Sequence, residues 1–158
     1  MIDTALQWFE DGSLAVAIRQ SAWLYPALEI VHISGIVLLV GPAFMFDLRL
    51  LGAAKKLPIA LLADYLLSWS RRGLLLVIPS GLLLFITNAT TLAYDPVFLL
   101  KMILLILAGL NAFVFHRFTF YFVSSSYDGT LSKSAKAAAI ASILLWLSII
   151  ACGRLLAY

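Results

Sequence analysis

The sequence predicts an all-α fold: an integral membrane bundle of four transmembrane helices, accompanied by short amphipathic helices at the surface. Three observations predict it. Of 158 residues, 63% are hydrophobic and 12% charged, and the mean hydropathy is +1.03, a balance no ordinary soluble domain has. Four apolar runs are each long enough to cross ~30 Å of hydrocarbon as a helix. The basic residues sit mainly at the flanks of those runs, where they act as topology signals rather than as a nucleic-acid patch, despite a net charge of +3. At this length the chain is a single transmembrane domain over residues 1–158.

In chain order, residues 3 to 20 hold two short helical pieces, one with Ala5, Leu6, Trp8 and Phe9, the next from Leu14 to Arg19 with Ser13 as N-cap. Their apolar faces suit a membrane surface. The acidic start, without a basic region or a small-residue cleavage site, leaves the first span as its own targeting signal. That span runs from about 25 to 50, with a kink predicted at Pro42, and Gly52 and Lys55-Lys56-Leu57-Pro58 end it. Ile59 to Trp69 reads as a short amphipathic segment, and Arg71-Arg72 lead into a second span, 73 to 94. Pro79-Ser80-Gly81 removes a backbone donor in mid-membrane there, to be made good by neighbours or by Ser80. Asp95-Pro96 starts the third span, to about 122, where Ala108 and Ala112 share a face with Lys101 and permit close helix contact. A polar loop from Ser124 to Ser134, with Asp128-Gly129 as turn, precedes the fourth span, 136 to 158.

Four spans alternate in direction, so the eleven basic residues divide by side. Arg49, Lys55, Lys56, Arg71, Arg72, Arg117, Lys133 and Lys136 fall at one surface and Arg19, Lys101 and Arg154 at the other. The rule that basic loops stay in the cytoplasm puts both termini outside, in a bacterium the periplasm, with the inner membrane as the location.

Ionisable groups within apolar runs are costly and face a bundle interior or a wet cavity. Glu29 and Asp47 share one face of the first span ~27 Å apart, and His32 stands beside Glu29. Counting depth from the outer surface, Glu29 and His32 of the first span, Lys101 and Met102 of the third, and Cys152 and Arg154 of the fourth fall within about two helical turns of one level. Three readings follow. The cluster is a structural ion-pair network, Glu29 with Lys101 or Arg154. Or it is a binding site for a redox-active metal, a haem or a quinone, with His32, Met102 and Cys152 as ligands, because imidazole with thioether or thiolate suits copper or haem iron. Or it belongs to a proton path, for which the middle of the bundle lacks a polar chain. His116 lies ~22 Å from the Lys101 level, so it does not share an iron with His32, and a bis-histidine haem b within one chain is disfavoured. No nucleophile–base triad, phosphate-binding glycine loop or carboxylate pair is evident, and conventional enzyme chemistry is not expected. A single cysteine excludes an internal disulfide.

The run SAWLYPALEIVHISGIVLLVG with FDLRLLG, then YDPVFLLKMILLILAGLNAFVFHR and the closing WLSIIACGRLLAY, resembles an uncharacterised bacterial family of short four-helix inner-membrane proteins, a domain of unknown function. More distantly, the helix count and Gly153-Arg154 are similar to CopD-type copper-resistance membrane domains. The first likeness implies the fold and no activity; the second implies copper. The function expected is binding of a redox-active metal, haem or small molecule in the periplasmic half of the bundle. The alternative is a non-catalytic accessory subunit of a membrane complex. Besides the lipid bilayer, the partners such a site invites are a quinone, a periplasmic protein or a second copy of the chain, and no nucleic acid.

Overall fold

The computed structural model describes residues 2–119 and 132–156. Among them there is no strand, and helices follow in the order α1 (Ile2–Glu10), α2 (Ser13–Gln20), α3 (Leu24–Leu50), α4 (Ile59–Ile86), α5 (Ala89–Tyr94), α6 (Pro96–Val114) continued by a π-helical turn (Phe115–Thr119), and α7 (Lys133–Leu155). Four of these, α3, α4, α6 with its π turn, and α7, are long and apolar enough to cross a membrane. The chain is a multi-pass membrane protein. Val37, Leu75, Leu82, Ile106, Phe113 and Leu144 stay exposed on their flanks, which is the arrangement expected where the surroundings are lipid tails as apolar as leucine itself.

The closest pairing is α3 with α4, followed by α6 with α7, and α3 against α7 joins the two pairs. Two glycines set the first of these. A Cβ at Gly73 would stand 2.5 Å from the Leu39 amide nitrogen and 2.9 Å from the Gly35 carbonyl oxygen, and one at Gly35 would stand 2.8 Å from the Val77 side chain. The two backbones therefore touch, which only small residues permit. Just beside the crossing, the buried Ser70 hydroxyl donates to the Leu39 carbonyl at 2.7 Å.

At one end of the bundle Phe46 and Leu50 of α3 pack with Ala63 and Leu66 of α4, Phe115, and Ala135 and Ala139 of α7. Phe46 and Phe115 meet edge to face at 5.9 Å. We call this the basic end. α3 stops there at Gly52, whose φ of 110° only glycine adopts freely. The amides of Gly52 and Ala53 turn back to the Arg49 and Leu48 carbonyls, satisfying the last turn as glycine-terminated helices do. Arg49 then holds the loop, donating to the Leu57 and Lys55 carbonyls at 3.0 and 3.2 Å. At the opposite end, where α6 begins, the Asp95 carboxylate accepts from the Val97 and Phe98 amides at 2.7 and 3.0 Å, with Pro96 in the first helical position.

The other end is closed by α1 and α2. Arg19 donates to the Thr87 carbonyl at 2.9 Å and to the Glu10 carbonyl at 2.7 Å, and its guanidinium lies 3.7 Å from the Glu10 carboxylate. That carboxylate accepts from the Thr90 amide and hydroxyl at 3.0 and 2.6 Å. These donors, the Thr90 hydroxyl foremost, hold the Glu10 carboxyl below its ordinary value, with Arg19 adding to them. Trp8 and Trp23 remain exposed, at the level where indole rings favour the lipid–water boundary.

Some boundaries differ from the sequence expectation. Ile59–Trp69 is no separate segment: α4 is continuous from Ile59 to Ile86. Asp64, Arg71 and Arg72 face outward while Ala63 and Leu66 pack on Phe46 and Leu50, and the helix runs on through Pro79. It ends at Ile86 rather than running to Tyr94, because Asn88 leaves helical geometry (φ −144°, ψ 42°) before α5 begins. α3, by contrast, keeps the expected span, with Pro42 inside the helix. At α2 the capping position falls on Gly12, one residue before Ser13. The expected end of the third span near 122, the Asp128-Gly129 turn, and Tyr158 lie outside the described residues.

Candidate functional site

The Gly35–Gly73 crossing positions a polar pair. His32 lies three residues before Gly35 on α3, and Ser80 seven residues after Gly73 on α4, so both point into the same helix interface. The His32 Nδ1 and Ser80 Oγ atoms are 2.9 Å apart. The serine hydroxyl donates its one proton to the Leu76 carbonyl, a turn earlier in its own helix. Its oxygen is thus an acceptor toward the imidazole, and Nδ1 carries the hydrogen. The Val77 carbonyl also faces the ring. In the neutral imidazole Nε2 keeps a free lone pair. Gly81 leaves the ring its space: a Cβ there would come within 3.0 Å of Cε1.

Lys101 enters from α6. Its side chain is half-buried, close enough to His32 and to Cys152 for its charge to act on both. A Cβ on Gly153 would stand 3.9 Å from the lysine Nζ, which puts the ammonium against α7 beside the buried Cys152. Among the described residues Lys101 forms no ion pair or hydrogen bond. Elements α3, α4, α6 and α7 thus each contribute to one locus, through His32, Ser80 with Gly81, Lys101, and Cys152 with Gly153.

The remaining sequence candidates sit elsewhere on their helices. Glu29 is exposed and forms no ion pair with Lys101, and Arg154 is exposed at the end of α7. Met102 is 42% exposed: it follows Lys101 directly, and one residue turns a helix by about 100°, so it leaves the interface that Lys101 faces. Among the described residues no three His, Cys, Asp or Glu side chains gather into a ligand set. Sequence reasoning did not single out Ser80 as the imidazole's partner, although Pro79-Ser80-Gly81 marked that turn as irregular.

A second polar locus lies toward the basic end. Asp47 is 7% exposed, its Oδ2 is buried without a hydrogen-bond partner, and Ser142 of α7 stands near it. Asn111 of α6 donates to the Ala138 carbonyl at 3.0 Å, one turn of α7 away. Between the two loci lies the Ser70–Leu39 hydrogen bond of the α3–α4 interface.

A sequence model described as a family of unknown function, DUF6644, matches residues 5–158. No curated protein and no solved structure matches the chain, so the CopD-type likeness rests on the helix count and Gly153-Arg154 alone.

Proposed function

Because the chain belongs to the DUF6644 family, for which no activity is described, we propose a function from the geometry of the site: binding of a redox-active small molecule of the quinone class within the bundle, at His32 and Lys101. The observation that carries this is a half-buried lysine whose ammonium lies against α7 beside Cys152, with no carboxylate and no hydrogen-bonding partner among the described residues. Holding such a group even partly out of water is costly unless something compensates it. A ligand oxygen is the natural compensation. Lys101 offers N–H donors to a carbonyl or oxyanion, and Nε2 of His32 offers a lone pair to a hydroxyl, so the pair matches the quinone and quinol forms of one head group. An isoprenoid tail would leave between helices into lipid, past the exposed flank of α6.

The same ammonium disfavours the other occupants expected from the sequence. A cation bound at His32 and Cys152 would stand beside an existing positive charge, and Met102, the third ligand of that set, is turned away. Copper and haem therefore become outcomes of the test rather than the leading reading. The accessory-subunit alternative draws support from α6, only 6% of whose span is buried within the chain, leaving an apolar face that another helix would suit.

We place the chain in a bacterial inner membrane with both termini periplasmic, because the basic residues concentrate at the end opposite α1 and α2. The site then opens toward the periplasmic leaflet. A reporter fused after Tyr158 is expected to be active only outside the cytoplasm.

The test of binding is titration of the detergent-purified protein with decylubiquinone, followed by tryptophan quenching, alongside a visible spectrum and metal analysis. Lys101→Gln and His32→Ala should each weaken binding about tenfold or more, the loss of one charge-assisted hydrogen bond, and Lys101→Arg should weaken it less. Unaltered binding in both variants, or a haem Soret band or bound copper that His32→Ala removes, would overturn the quinone reading. A colourless, metal-free protein that binds none of these leaves the accessory role.

A further inference from the structure

One face of α4 carries a polar notch unrelated to the site above. Ser68, Arg71, Arg72 and Leu75 line a shallow open depression on its outward surface. Both guanidinium groups are held there by uncharged neighbours. Arg71 donates to the Ser68 hydroxyl at 3.2 Å, and Arg72 lies over the Trp69 ring at 4.8 Å. Neither forms an ion pair among the described residues. Asp64, one turn before Ser68, is exposed on the same helix and pairs with neither. His116, on the π turn, lies within reach of the Arg71 charge.

The depth of the notch matters. Arg72 is fourteen residues from Ile86 at the other end of α4, ~21 Å of rise, less than the ~30 Å of bilayer hydrocarbon. The side chains therefore extend toward the basic end to reach the headgroup level, and Arg71 reaching back to Ser68 follows that direction. Above the notch the same stripe turns apolar: Leu75, Ile78 and Leu82, at three- and four-residue steps, are 74%, 55% and 60% exposed. Two adjacent guanidinium groups at headgroup level, with an apolar track of ~15 Å leading from them into the membrane, fit one kind of occupant.

We propose that α4 holds an anionic phospholipid at this notch, its phosphate on Arg71 and Arg72 with the Ser68 hydroxyl beside them, and an acyl chain along Leu75, Ile78 and Leu82. Guanidinium forks suit phosphate oxygens, and the contacts with the Trp69 ring and Ser68 hold both on the same face of α4. The site is distinct from a diffuse attraction of basic loops for an anionic leaflet, because its arginines belong to a continuous helix and each touches a neighbour on it, Ser68 or the Trp69 ring.

The test compares the full-length detergent-purified protein with phosphatidylglycerol, with phosphatidylcholine and with inorganic phosphate, scoring retained lipid by native mass spectrometry and the melting temperature in parallel. Phosphatidylglycerol should be retained and should raise the melting temperature; phosphatidylcholine and inorganic phosphate should do neither. Arg71→Gln with Arg72→Gln should weaken retention about thirtyfold, whereas Lys55→Gln with Lys56→Gln, removing the same charge from the loop, should leave it within about threefold. If the glutamine pair fails to fold, Arg71→Lys with Arg72→Lys keeps the charge and removes the fork, and should still weaken retention. Equal losses from the two glutamine pairs, full retention in the lysine pair, equal retention of phosphatidylcholine, or stabilisation by inorganic phosphate alone would each overturn the proposal.

Discussion

Replacing Gly73 by alanine tests the contact on which the His32 site depends. The added methyl would stand 2.5 Å from the Leu39 amide nitrogen and 2.9 Å from the Gly35 carbonyl oxygen, both backbone atoms that no rotamer change moves. Ordinary contact begins near 3.4 Å, so α3 and α4 must separate locally by roughly 1 Å. Overpacking of this kind costs ~1–3 kcal/mol. The same separation stretches the Ser70–Leu39 bond from 2.7 Å and the His32–Ser80 bond from 2.9 Å past useful length, at ~0.6 kcal/mol each within a membrane. Against this stands the helix preference of alanine over glycine, up to ~1 kcal/mol. The net expectation is a loss of about 1–3 kcal/mol. Gly41→Ala supplies the control, since a Cβ there meets nothing within 4 Å, and that variant should be neutral or slightly stabilised. Reversible unfolding in mixed micelles, titrated with a denaturing detergent, reads both. A Gly73→Ala protein as stable as Gly41→Ala would show that the helices do not cross as described.

Other expectations follow from the same contacts. Ser80→Ala removes the acceptor that fixes hydrogen on Nδ1; it should lower stability by ~0.6 kcal/mol and alter the imidazole's NMR tautomer signature, and an unchanged spectrum would contradict the assignment. Asp47→Leu removes a buried carboxyl one of whose oxygens is unpartnered, losing only the contact with Ser142, and should raise the melting temperature, as replacing poorly compensated buried polar groups by apolar ones often does; a lowered one would show that the Ser142 contact outweighs the cost of burial. The Glu10 carboxyl is depressed in the folded chain, so its stabilising effect is complete above the unfolded value near 4.5 and is lost as pH falls through the folded value. Acidification below that value should release α1 from α5, seen as faster amide exchange in α1, and Glu10→Gln should remove the pH dependence. Arg19→Ala, which breaks contacts to Thr87 and Glu10 at once, should release α1 and α2 at every pH.

Much of the fold is legible in the sequence because a membrane leaves the backbone few options: each long apolar run must satisfy its own amides. α4 shows where the reading stops. Asp64, Ser68, Arg71 and Arg72 divide its apolar content, so an average along the chain sees a surface segment followed by a short span. The rotational position of each residue matters instead, with Ala63 and Leu66 turned inward and the polar groups turned out. The site behaves similarly. Depth counting sets Glu29, His32, Lys101, Met102, Cys152 and Arg154 at one level but carries no information about direction, and Met102 departs from Lys101 by a single residue's rotation. Gly35 and Gly73 give a signal only once two helices are superposed. The Glu10–Thr90 contact joins residues eighty positions apart and leaves no local periodicity to read.

The unequal packing of the four long helices bears on how the chain assembles. α3 and α4 are consecutive and meet backbone to backbone, and α6 and α7 are likewise each other's main neighbour, so most of the tight packing is available within successive hairpins. Such a chain should enter the bilayer as two prefabricated halves, each gaining its own contacts early. Docking of one half on the other comes afterward, through the Phe46–Phe115 cluster and the α3–α7 contact. The pocket of His32 and Lys101, with one member on each half, then exists only after that last step.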